Sequence, residues 1–204
     1  VSYGVKSLIK IHNETIIERQ LRLIKHVFNK YQIILVTGFQ SSKLMNATPD
    51  NIIKIENENY KDSNVLRSIG MGLRACTSNN VIILYGDLIF NTETITAPFD
   101  RDSMAIVSNT MSDNEIGCVS HNKNIENFCY DLPNKWAQIV YLTGNELELM
   151  KKISWNKNKS NMYGFEALNW IIDNGGTIKE FMPNKSKIID IDSSKDIIKA
   201  KEIL

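Results

Sequence analysis

Four short stretches carry side chains whose types and spacing could do chemistry. In VIILYGDLIF (81–90) an apolar run passes Tyr85 and Gly86 and then places an acid, Asp87. A Gly-Asp pair is ordinary turn chemistry. A carboxylate at a strand end also suits a divalent cation facing bound phosphates, because Mg²⁺ takes one or two protein carboxylates and shares its remaining shell with substrate oxygens and water. In IIDID (188–192) Asp190 and Asp192 stand two apart. An extended segment projects both to one face, where like charges are unfavourable unless a cation lies between them or water screens them; a wet strand edge and a cation site both meet that condition. In YGVKSLIKI (3–11) Lys6 follows Gly4 at the mouth of the first recognisable strand. A lone lysine is ordinarily solvated surface, but near phosphates it supplies a compact positive charge. In ENENYKDSNVLRSIG (56–70) Ser63, Asn64 and Ser68 surround a helix start. Such residues cap helices, and the free N–H groups there also suit an anion or a base carbonyl.

Other reactive types lack a partner. His12, His26 and His121 have no visible Ser or Cys partner in a catalytic motif context, so a covalent mechanism gains no support. Glu166 in YGFEALNW reads as a first-turn helix acid favoured by the dipole. Trp136, Tyr141, Tyr163 and Trp170 are candidate pocket aromatics, with core packing the commoner role for each. A ligand bearing a quaternary ammonium would suit an aromatic cage.

The elements that must position these residues follow from periodicity. NETIIERQLRLIKHVFNKY has apolar residues at helical spacing behind Asn13 as a cap; QIILVTGF and NIIKIEN read as strands, NVLRSIGMGLRAC as a helix and VIILYGD as a third strand. Strands separated by helices imply right-handed crossovers and a largely parallel sheet, whose ligands bind beyond the carboxyl ends of the strands, where Asp87 lies. SMAIVSN, EIGCVSH, NIENFCYDL and WAQIVYLTG read as short strands with polar turns, an antiparallel ribbon added to the parallel half. NELELMKKI and YGFEALNWIIDNG are helices, TIKEFMP and SKIIDID are extended, and SSKDIIKAKEIL is a closing helix capped by Ser193 or Ser194.

Composition sets the class. With 204 residues, 43% hydrophobic and 23% charged, the chain suits a single folded domain. A net charge of +1 offers no overall field for nucleic acid or an acidic membrane surface, and no apolar run approaches the roughly 18 residues that span a bilayer. Cys76, Cys118 and Cys129 are odd in number and lack metal spacing, so buried reduced thiols and a cytoplasmic location are expected.

Together, KSLIKIHNETIIERQLRLIKHV, QIILVTGF, NENYKDSNVLRSIGMGL, VIILYGDLIF and IIDIDSSKDIIKAKEIL resemble the nucleotidyltransferases that activate phosphorylated small molecules, in the branch of choline-phosphate and phosphonate cytidylyltransferases. The resemblance covers nearly the whole chain and rests on the order and spacing of motifs that are individually weak. It implies a Rossmann-like three-layer α/β/α sandwich of the glycosyltransferase-A type, with a mostly parallel mixed sheet and an added antiparallel ribbon. A nucleotide-binding half would occupy about 1–100 and an acceptor half about 101–204. It implies Mg²⁺ as cofactor, a nucleoside triphosphate (CTP favoured) and a small phosphorylated or phosphonate acceptor as partners, and pyrophosphate release.

By the same resemblance Lys6 and Asp87 are catalytic, with Lys6 matching the lysine of a Pro-Lys pair although Val5 replaces the proline. Asp87, Asp190 and Asp192 hold the metal, and Gly4, Ser63, Asn64 and Ser68 contact the nucleotide. Asp190 and Asp192 match paired acids within a W-E-I-D motif whose aromatic is here Ile188 or Ile189. The family's first strand and its L-A-A-G-x-G-x-R loop should precede the lysine, where only VSYG stands, so that element lies upstream or the phosphate cradle is built differently. A metal-dependent glycosyltransferase of the same fold and a nonenzymatic nucleotide-binding remnant are the alternatives.

Overall fold

The computed structural model describes residues 4–204, so the VSYG segment is described only at Gly4. A one-turn 3-10 helix, Lys6–Leu8, leads into a small hairpin of β1 (Lys10–Ile11) and β2 (Glu14–Thr15), then α1 (Ile16–Val27). The strand expected over SLIKI is therefore mostly absent, and Lys6 sits on a tight turn. The expected cap also moves. Asn13 lies in the hairpin turn, and Thr15 caps α1 by accepting from the Glu18 N–H while Glu18 accepts from the Thr15 N–H, a reciprocal capping box.

Next come β3 (Ile34–Thr37), a short helix α2 (Ser41–Asn46) that periodicity does not reveal, β4 (Ile53–Glu56), α3 (Val65–Ala75) capped by Asn64, β5 (Asn80–Leu84) and β6 (Leu88–Phe90). The second half holds β7 (Met104–Ser108), β8 (Gly117–His121), β9 (Asn124–Cys129), β10 (Asn134–Thr143), α4 (Gly144–Ser154), α5 (Gly164–Asp173), β11 (Lys179–Phe181), β12 (Ile188–Asp190) and α6 (Ser194–Ile203). Ser193 caps α6, as expected.

The architecture is the expected α/β/α sandwich. On one face of the sheet Ala105, Val107, Val140 and Leu142 pack against Leu66, Leu73, Leu147 and Leu168 of α3, α4 and α5. On the other, Ile106, Ala137 and Ile139 meet Leu23 of α1. Alternate residues of β7 thus enter opposite cores, and all five are buried, as a strand covered on both faces must be. Each such aliphatic side chain contributes about 1.5–3 kcal/mol by leaving water.

The sheet is mixed, with a more central antiparallel share than the strand-helix alternation suggests. Parallel ladders join β3 to β4 and β7 to β11. Between β5 and β7 runs β10, antiparallel to both. It follows the β8–β9 hairpin with no crossover helix between, so it returns through the sheet in the opposite sense. A separate two-stranded ladder, β6 antiparallel to β12, pairs Ile188 with Phe90, Ile189 with Ile89 and Asp190 with Leu88. All three cysteines are free; Cys118 is buried, but Cys129 is exposed, contrary to the expectation of buried thiols.

The β8–β9 ribbon turns through two residues, Asn122 (φ 50°) and Lys123 (φ 65°), flanked by the pair His121 and Asn124. Two positive φ values define the hairpin turn that favours Asn-Gly. Lysine is unfavourable at the second position and glycine is not. Lys123→Gly should therefore stabilise the protein by about 0.5–1 kcal/mol, read as a higher denaturant midpoint at unchanged slope; an unchanged or lower midpoint would refute this assignment of the turn.

Candidate active site

The β6–β12 ladder builds the site. Asp87 occupies the turn between β5 and β6, and its carbonyl accepts from the Ile191 N–H at 3.2 Å, so the ladder continues up to the acid itself. Residues a hundred positions apart in the chain are thereby held side by side, with Asp190 and Asp192 flanking Ile191. The turn is anchored from behind. Gln20 of α1, 3% exposed, donates from Nε2 to the carbonyls of Tyr85 at 3.0 Å and Leu88 at 2.7 Å. Gly86 lies so close to Ser7 that a Cβ would stand 2.9 Å from its Oγ.

The Lys6 ammonium lies between Asp87 Oδ2 (3.2 Å) and Asp192 Oδ1 (2.5 Å). Burial disfavours its charge, but the hydrogen bond to Asp192 and the charges of Asp87 and Asp192 outweigh that penalty, and its pKa is raised. Asp190 behaves differently. Burial, followed by the charge of Asp87, pushes its carboxyl up to about 7, against a hydrogen bond from Gln138 that favours ionisation. Oδ2 accepts from Gln138 Nε2 at 2.8 Å, and Oδ1 is buried with no partner.

A residue that no motif singles out joins them. Glu115 Oε2 accepts from the same Gln138 nitrogen at 3.2 Å, and Glu115, Asp190 and Asp192 each offer an oxygen within 4.8 Å of the other two. Burial and then the charge of Asp192 raise the Glu115 pKa. Among the described residues Asp87 lies outside that trio and reaches it through Lys6. Hard oxygen donors converging on an orphaned buried oxygen suit Mg²⁺.

The nucleotide-contact candidates are placed as follows. Asn64 caps α3, accepting from the Val65 N–H. Ser63 and Ser68 both accept from the amide of buried Asn57, and Ser63 donates to the Asn59 carbonyl. Ser63 and Asn64 also line an open pocket of about 400 Å³ with Lys61, Asp62 and Asn161. Gly4 has φ 68° and faces Gln40. No hydrogen bond or ion pair joins these residues to the carboxylates among the described residues. Of the aromatics, Trp136 and Tyr141 are 3% exposed and belong to the interior, and Trp170 is partly buried. Tyr163 is exposed and stacks on Phe165, which in turn meets Tyr130 edge-on. Tyr85, raised in pKa by burial and by Asp87 and Asp190, wedges its hydroxyl against Gly164, where a Cβ would lie 2.1 Å away. Glu166 accepts from the Tyr163 N–H, the first-turn role expected of it.

The sequence model of the MobA-like NTP transferase domain matches residues 3–124, more than half of the chain. The chain belongs to that family. No match to a curated protein was found. Solved structures with the same fold include CTP:phosphocholine cytidylyltransferase from Streptococcus pneumoniae, at TM-score 0.78 and 15% identity over 97% of this chain and 89% of that one. The inositol-1-phosphate CTP transferase from T. maritima superposes at TM-score 0.77 and 16% identity over 99% and 90%. HddC from Yersinia pseudotuberculosis does so at 0.77 and 14% over 99% and 91%. At these identities the likeness is one of fold. No helix among the described residues of this NTP transferase domain is long and apolar enough to cross a membrane.

Gln20 tests how the site is held. Gln20→Leu keeps the volume but strands two carbonyls behind the Asp87 turn, which should cost about 1–3 kcal/mol. Denaturant unfolding checks this, and a change below about 0.5 kcal/mol would show that the turn does not depend on Gln20.

Proposed function

We propose that this NTP transferase domain joins a nucleoside triphosphate, with CTP favoured, to the phosphate or phosphonate of a small acceptor and releases pyrophosphate, with Mg²⁺ as cofactor. The observation that carries the reading is the convergence of Lys6, Asp87, Asp190 and Asp192 on one point beyond the end of β5. CTP is favoured because two of the compared structures are CTP-dependent transferases. HddC has been seen with a guanine nucleotide analogue, so GTP belongs in any panel.

In the reaction an acceptor oxygen attacks the α-phosphorus, a new P–O bond forms, and the bond from that phosphorus to the bridging oxygen of the leaving pyrophosphate breaks. An ionised phosphate needs little or no general base, so positioning and charge neutralisation supply most of the rate. Mg²⁺, held by Asp87, Asp190 and Asp192, would supply neutralisation of the triphosphate oxygens. Lys6 remains protonated throughout the physiological range, since its pKa is raised, and carries a full positive charge to those oxygens. The Gln20 anchor and the β6–β12 ladder keep Asp87 from drifting as charge moves through the site. The second half of the chain forms the acceptor side, and Tyr163 is the exposed one of the four aromatics considered for the pocket.

Pyrophosphate release across four nucleoside triphosphates and several phosphorylated acceptors tests the reading. Asp87→Asn keeps the shape and removes a charge, so turnover should fall to less than about a tenth of the unmodified rate at saturating Mg²⁺, more than roughly 1.4 kcal/mol of barrier. A variant above that rate would end the assignment of Asp87 to the metal.

A further inference from the structure

We infer that Glu115 is a further carboxylate ligand of the divalent cation, joining Asp190 and Asp192 in a cluster that takes up the cation without nucleotide. This rests on the Mg²⁺-dependent reading above.

The trio is more than a patch of acids, because the surrounding backbone is committed to presenting it. The turn carrying Glu115 is clamped from below by Lys135. That lysine is 8% exposed, and its ammonium donates to the Asp113 carbonyl at 2.7 Å and the Glu115 carbonyl at 3.3 Å. One residue on, the Ile116 carbonyl accepts from the Trp136 N–H. Gln138 presents the opposite side. It has φ 56° in the middle of β10, where the register with β7 shifts between Trp136 and Val140. A left-handed non-glycine residue inside a strand is unfavourable and persists where surrounding structure requires it. Here it turns one amide nitrogen onto both Glu115 and Asp190.

Gln138 satisfies one oxygen of each acid and leaves Asp190 Oδ1 buried and unpartnered. A buried carboxylate oxygen without a donor is costly, and no side-chain cation corrects it. Lys6 binds Asp87 and Asp192, and Lys199 donates to the Thr110 carbonyl. Among the described residues no ion pair reaches Glu115 or Asp190. The trio borders a pocket of about 320 Å³ lined also by Ser112, Asn114, Ser193, Lys195 and Lys199. A small cation, with water filling its remaining coordination positions, meets all these conditions.

Titration of the full chain with Mn²⁺, followed by the electron paramagnetic resonance of free Mn²⁺ with no nucleotide present, tests this. The unmodified protein should bind Mn²⁺, and Glu115→Gln should weaken binding by about tenfold or more. Glu115→Asp should fall between them, and Asp192→Asn should serve as the reference loss. In chelator the Glu115→Gln protein should melt at the same temperature or higher, because a repulsion has been removed. Binding by Glu115→Gln within about twofold of the unmodified protein, alongside weak binding by Asp192→Asn, would overturn the assignment of Glu115 and leave a cation site intact. Failure of the unmodified protein to bind Mn²⁺ alone, or a lower melting temperature of Glu115→Gln in chelator, would also overturn it. Metal-dependent pyrophosphate release, measured separately, would in each case still stand or fall on its own.

Discussion

Asp87, Glu115, Asp190 and Asp192 lie close enough to feel one another's charge, an arrangement that electrostatics opposes, and the antiparallel ladder of β6 with β12 enforces it. Backbone hydrogen bonds from Ile188 through Ile191 fix the separation of Asp87 from the other two aspartates, and apolar burial of Ile188, Ile189 and Ile191 on both sides of the ladder anchors it. The repulsion is met in three ways. Lys6 bridges two of the acids, Gln138 donates to the other two, and burial raises the proton affinity of Asp190 and Glu115. A site assembled under that tension is poised for a cation, since binding one relieves a penalty already built into the fold.

The lysine has a double part in this account. Its ammonium lies between Asp87 and Asp192, a position that a divalent cation would contest. Lys6, on its flexible stem, would then offer its compact charge to the triphosphate oxygens. Lys6 sits on a tight 3-10 turn closed by the bonds from Leu8 to Val5 and from Ile9 to Lys6. Asp87 sits on a turn gripped from behind by Gln20.

Much of the fold was legible because it is written in periodicity. The helical spacing of Ile16, Ile17, Leu23 and Val27 and the unbroken apolar runs of β3 and β5 need no tertiary information, and their alternation implies the layered α/β architecture that the structure and the family match bear out. The order of motifs led to Lys6, Asp87, Asp190 and Asp192, and the structure brings these four together. Glu115 was not legible: it sits in Ser112-Asp113-Asn114-Glu115, a run that looks like any solvated turn, and its position is fixed by tertiary contacts from Lys135 and Gln138. Gln138 was hidden because a bulge leaves no mark in a strand's composition. The central placement of β10 was hidden because pairing partners are chosen over long separations, which a local pattern does not record. Ser63 and Ser68 converge on Asn57, a near neighbour in the chain whose buried amide the motif reading passed over.

The central claim is that Lys6 and a divalent cation compete for the same carboxylates. Thermal melting of Lys6→Met and the unmodified protein, each in chelator and in saturating Mg²⁺, tests it most directly, because a ligand stabilises in proportion to its binding to the native state. The account predicts that Lys6→Met melts lower than the unmodified protein in chelator and gains more from Mg²⁺, closing part or all of the gap. A Mg²⁺-induced shift in Lys6→Met equal to or smaller than that of the unmodified protein would contradict it.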